Sequence, residues 1–336
     1  WQLRALDTHL IDKEYAVRVH CTKDLKYSVT MEHLSFFWLP NNKDKLINAL
    51  ESEFAQLVEQ SISTGKISLP PIPDVVLKIQ QLCVEEHTTI SDVANCLLED
   101  PGLAAVVLRV ANSVIFNRRN ITCNDLTTAV SRLGILRVRD IVTAQAIEQL
   151  KHSVNLTKEC NAILVKSAAV SRELGAVMVI LVQAFRKHEP GTYGHLEQEK
   201  ALLVGLLADI GLFCLINEYH LYLDRGNYLD PEIALQIFQT RCSATSKLVL
   251  ERWGFDNDFR EVSSNEKYEQ TRPEVSYLDI ARIAHHLLMF RNHDERIDEH
   301  EVEFNLTGAE VLYELSNMSD TDFNDQIRAV LSASGL

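Results

Sequence analysis

From about residue 74 onward, apolar side chains recur three and four positions apart, the spacing that lines one face of an α-helix. Start and stop residues punctuate that pattern. Asp100-Pro101 and Asp230-Pro231 each set a capping carboxylate before a proline at the first helical position, where a missing N–H costs nothing. Thr307-Gly-Ala-Glu310 reads as a capping box opening a helix that carries Val311, Leu312 and Leu315. Gly134 after Val130-Ser-Arg-Leu133, and Gly254 after Glu251-Arg-Trp253, stand where a left-handed C-terminal cap is expected. The pattern predicts helices over 74–84, 91–99, 101–112, 125–133, 135–150, 158–188, 197–210, 212–220, 231–240, 243–253, 275–290, 307–317 and 320–332.

Before residue 62 the pattern changes. Tyr15–Cys21 and Tyr27–Met31 alternate β-branched or aromatic residues with polar ones across a turn at Lys23-Asp24, which predicts two short strands. A helix over 44–62 follows, with Leu46, Leu50, Phe54, Leu57 and Val58 on one face. The expected organisation is mainly α: a small N-terminal α+β segment at 1–61, a multi-helix domain at 62–265, and a helical extension at 266–336 packing on it.

Composition excludes several classes. Hydrophobic residues at 46% and charged residues at 24% of 336 describe an ordinary globular chain, and a net charge of −14 argues against a protein that coats nucleic acid by neutralising phosphates. The charge is uneven: residues 101–151 carry seven basic and three acidic side chains, +4, whereas 265–336 carry six and fifteen, −9. Such a split is suited to an acidic partner or to contact between the chain's own halves. Seven cysteines, at 21, 83, 96, 123, 160, 214 and 242, have no zinc-knuckle spacing and read as buried free thiols of a reducing, cytoplasmic compartment. The most apolar run, Ala176–Val182, falls short of the roughly 18 residues a membrane span needs, so no membrane association is expected.

Six short elements recur through the middle of the chain: Leu69-Pro-Pro-Ile-Pro73, Asp100-Pro-Gly-Leu103, Leu108-Arg-Val-Ala-Asn-Ser113, Ala129-Val-Ser-Arg-Leu-Gly134, Gly205-Leu-Leu-Ala-Asp-Ile-Gly211 and Leu248–Gly254. Their order and spacing resemble the HD-related output domain family, abbreviated HDOD, over about residues 62–290. The resemblance implies an all-α HD-like bundle and a place in bacterial signal transduction, often beside sensor, receiver or cyclic-dinucleotide domains. The positions that carry it are Pro70, Pro73, Asp100, Pro101, Asn112, Ser113, Gly134, Gly205, Gly211, Trp253 and Gly254. Each also has a physical reading: the prolines force an extended entry, Asn112-Ser113 ends a helix with side chains able to bond free backbone groups, and Gly205 and Gly211 imply a close helix crossing. At the N-terminus, Phe37-Trp-Leu-Pro40 and the helix after it are faintly similar to the tail of YbaK-type editing domains, with no editing activity implied.

The parent HD superfamily hydrolyses phosphoesters with metals held by a His, a His-Asp pair and a later Asp, because hard cations need imidazole and carboxylate to position and acidify water. Carried over by this resemblance, the first His falls on Lys166, the His-Asp pair on Ala208-Asp209 and the last Asp on His285, so only Asp209 matches. An ammonium repels a divalent cation and a methyl group offers no lone pair. The expectation is a lost metal site, with no catalytic residue, metal or cofactor, and a Lys166–Asp209 ion pair in its place, His285 nearby. His286, His293 and His300 recur every seven residues in a polar stretch, and read as part of a solvated linker rather than as metal ligands; His188 and His195 read as surface residues. The chain is thus expected to be a non-catalytic regulatory module that binds a protein partner or small effector. The alternative is a degenerate metal-dependent phosphohydrolase using His285 and Asp209. Nucleic-acid binding, resting on Arg118, Arg119, Arg132, Arg137 and Arg139, is the weakest reading.

Overall fold

The computed structural model describes residues 52–67, 72–117, 120–153, 158–265, 274–294, 297, 302 and 305–334. Among these residues there are fourteen helices and no strand. The expected strands at 15–21 and 27–31, the YbaK-like stretch and Pro70 lie outside the described residues.

The helices are α1 (Glu53–Ser63), α2 (Asp74–Leu82), α3 (Ile90–Leu97), α4 (Pro101–Asn112), α5 (Leu126–Leu133), α6 (Ile135–Ser153), α7 (Lys158–His188), α8 (Gln198–Leu207), α9 (Ile210–Asp224), α10 (Pro231–Arg252), α11 (Asn257–Ser264), α12 (Tyr277–Arg291), α13 (Leu306–Ser316) and α14 (Asp320–Ser334). Their beginnings follow the capping chemistry of the sequence. Asp100 accepts hydrogen bonds from the Gly102 and Leu103 amides at 2.9 and 3.0 Å, and Asp230 accepts from the Glu232 amide at 2.8 Å. Gly134 and Gly254 take φ of 82° and 68° just past α5 and α10.

Four expectations need correction. The stretch assigned to 231–240 and 243–253 is the single helix α10, because Thr240 and Thr245 satisfy their hydroxyls on carbonyls of the preceding turn and no Gly or Pro interrupts it. The polar eight-residue helix α11, capped by Asp256, was not anticipated. Helix α13 is capped by Asn305 on the Gly308 amide, not by Thr307, whose hydroxyl instead donates to Glu189. Finally, Cys160–His188 and Gln198–Asp224 do carry windows long and apolar enough to cross a membrane, but 67% and 83% of those windows are buried inside the bundle.

Helix α7 is the axis. At 31 residues it is about 46 Å long, and every side chain from Ala176 to Val182 is buried. It packs against α6, α8, α12, α13 and α14, while α9 pairs with α10 and the smaller α2–α6 group closes one side. Helices α7 and α8 approach at Gly175 and Gly205: a β-carbon on Gly205 would lie 2.4 Å from the Gly175 α-carbon. A second close approach sets α9 on α10, where a β-carbon on Gly211 would lie 2.4 Å from the Ser246 amide nitrogen. The close crossing expected at Gly205 and Gly211 thus has backbone atoms as its nearest neighbours on the far side.

Candidate functional site

Asp209 stands in the break between α8 and α9, which the two glycine crossings bury from both sides; it is 1% exposed, as is Ala208. Helix α10 presents Cys242 and Ser246, one turn apart, to this break. The Cys242 thiol donates to Asp209 Oδ1 at 4.0 Å and lies 3.8 Å from Ser246 Oγ, while the Gly211 amide donates to Ser246 Oγ at 2.8 Å. His285 is buried in α12 at 3% exposure.

Lys166 is not part of this arrangement. It faces solvent on α7, and the expected Lys166–Asp209 ion pair does not form. The cause is rotational register: successive helical residues are about 100° apart, and it is Ser167 and Ser171, 7% and 1% exposed, that α7 turns inward. Neither serine hydroxyl has a hydrogen-bond partner among the described residues. Small polar residues at i, i+4, in 167/171 and 242/246, are the signal that could have marked these inward faces.

A divalent metal does not fit the residues at these four positions. Lys166 is a cation on the outside, Ala208 has no donor atom, and Asp209 and His285 remain as two potential ligands. Among the described residues, no group of three or more His, Cys, Asp and Glu side chains is placed to hold a metal ion. His286 is buried at 6% within α12 and is separate from exposed His293; His300 lies outside the described residues. His188 and His195 are exposed, His188 contacting Glu314 of α13 at 2.9 Å and His195 the Val275 carbonyl at 2.8 Å.

The other motif positions build corners. Asn112 donates to the Cys123 carbonyl at 2.7 Å and accepts from the Cys123 amide at 2.8 Å, so one side chain clamps the loop after α4; Ser113 donates to the Val110 carbonyl at 2.7 Å. Pro73 precedes α2 with φ of −55°. Trp253 is 5% exposed, and Gly254 delivers its carbonyl to Arg139 at 2.6 Å. Arg139 also donates through Nε and Nη2 to Asp140 at 2.8 and 2.7 Å and lies 4.5 Å over the Phe255 ring. Burial pushes the Asp140 carboxyl up to about 6, against the pull of the Arg139 guanidinium. Sequence reasoning missed this buried pair because Arg139 sits in a run of arginines that reads as surface.

These contacts also account for three arginines of the basic segment. Arg132 bonds the Ala111 and Ile121 carbonyls at 2.8 and 2.5 Å, Arg137 pairs with Glu197 at 2.6 Å and Arg139 is buried at 4% exposure. Three of the five arginines behind a nucleic-acid reading therefore hold the fold together, and Arg118 and Arg119 lie outside the described residues.

Fold and motif positions together define an HD-like helical bundle, and the family follows. Residues 69–268 match the HDOD domain, and the chain belongs to that family. Among solved structures, a protein of Shewanella amazonensis SB2B described as "Putative metal-dependent phosphohydrolase" is 21% identical, with a TM-score of 0.62, over 84% of this chain and 99% of that one. An HDOD domain protein of unknown function from Geobacter sulfurreducens is 18% identical, with a TM-score of 0.45, over 87% and 98% of the two chains. No curated protein matches the sequence.

Proposed function

We propose that this HDOD protein is a non-catalytic regulatory module of bacterial signal transduction, which works by binding a protein partner or small effector rather than by turning over a phosphoester. The observation that carries this reading is the donor set: of the four positions a metal-dependent relative needs, one points outward as a lysine and one is an alanine. With only Asp209 and His285 left, water has no cation to position and acidify it. The surroundings of Asp209 favour the same reading, since its neighbours Cys242 and Ser246 tie α9 to α10.

The test is a nucleotide-phosphodiesterase screen of the full chain with divalent metals supplied, parent and Asp209→Ala side by side. The reading expects no turnover above background in either protein. Turnover in the parent that Asp209→Ala abolishes would establish the degenerate phosphohydrolase instead.

A further inference from the structure

The N-terminal half of α7 has an uncovered face. From Gly175 to Val182 every residue of the helix is buried, but before it Ala162, Val165, Lys166 and Ala169 are exposed and Glu173 is half-buried. These residues fall at i, i+3, i+4, i+7 and i+11, a single stripe of the helix surface. Val165 is 46% exposed, and the two alanines leave the backbone open to close approach.

The stripe holds two charges of opposite sign, and neither has a partner among the described residues. Lys166 and Glu173 make no ion pair or hydrogen bond among the described residues. Seven residues separate them, about 10.5 Å along the axis, too far for one to neutralise the other directly. Burial pushes the Glu173 carboxyl up and no cation offsets it. A half-buried carboxylate without a counter-charge is costly where it stands and is relieved by a cation arriving from outside.

We infer that this face of α7 is a dimer contact with a second copy of the chain, the two helices crossing antiparallel about a two-fold axis near Ala169 and Val170. That axis sets Lys166 of one copy opposite Glu173 of the other, and Glu173 opposite Lys166, while the alanines meet at the centre. The pattern is self-complementary, as an isologous interface requires. A parallel crossing would face like charges on each other. Only about three turns of each helix take part, which buries less than the roughly 1,200–2,000 Å² of a stable complex, so the dimer is weak and salt-sensitive. The inference stands whether or not the chain is an enzyme.

Sedimentation equilibrium of the full chain, at low and high salt, tests it with charge swaps. The parent is expected to associate reversibly. Lys166→Glu and Glu173→Lys each raise the dissociation constant on the order of tenfold or more, because symmetry makes each swap act twice. The double variant, with both swaps, returns to the parent's value. Circular dichroism confirms that all four proteins fold. A parent that stays monomeric at every concentration overturns the proposal, and the face then belongs to another part of the chain or to a different protein. So does a parent dimer that the single swaps leave unchanged or that the double swap fails to restore.

Discussion

The Gly205 α-carbon faces Gly175 so closely that a β-carbon placed on it would lie 2.4 Å from the Gly175 α-carbon and 2.6 Å from its amide nitrogen. Backbone cannot yield as a side chain can. Gly205→Ala gains about 1 kcal/mol of helix propensity but must separate α7 from α8, and overpacking of this kind costs about 3 kcal/mol or more. Urea denaturation is expected to show a large fall in midpoint with an unchanged slope; an unaltered midpoint would contradict the close crossing.

Asn112 holds the α4–α5 loop through its two bonds to Cys123. Asn112→Ala leaves both of those backbone groups to find water, at about 1–3 kcal/mol. Hydrogen exchange reads the effect locally: the Cys123 amide is expected to lose protection well before the α7 core does. Equal protection in both proteins would show that the clamp holds nothing.

The buried Arg139–Asp140 pair has a pH signature. The Asp140 carboxyl titrates near 6 in the fold, above its ordinary value of 3.8. The folded state therefore holds that proton more tightly than the unfolded chain does, and the associated stability, complete below about pH 4, is lost as pH rises to about 6. Asp140→Asn removes this contribution, so the parent's stability minus that of the variant is expected to fall across pH 4 to 6. Parallel profiles for the two proteins would contradict a raised carboxyl.

Local chemistry made much of the bundle readable. Asp100, Asp230, Gly134 and Gly254 mark helix ends by rules that act within a turn, and α4, α5 and α10 begin or end where those residues place them. Features that depend on a distant partner were not readable in the same way. Gly205 signals a close approach without naming Gly175, and the arginines at 132, 137 and 139 look alike until their separate partners are seen. The candidate site shows the limit most clearly: motif order put Lys166 at a ligand position, but order along the chain does not fix rotation about a helix axis, and Ser167 faces inward instead. The loss of donors at Ala208, by contrast, follows from residue type alone.

The central claim is that the HD metal centre is gone, and metal content tests it most directly. The full chain, purified without chelator from cells grown with added manganese and iron, is expected to carry only substoichiometric metal, the same in parent and Asp209→Ala. One or more equivalents of tightly held metal in the parent, lost in Asp209→Ala, would contradict the account.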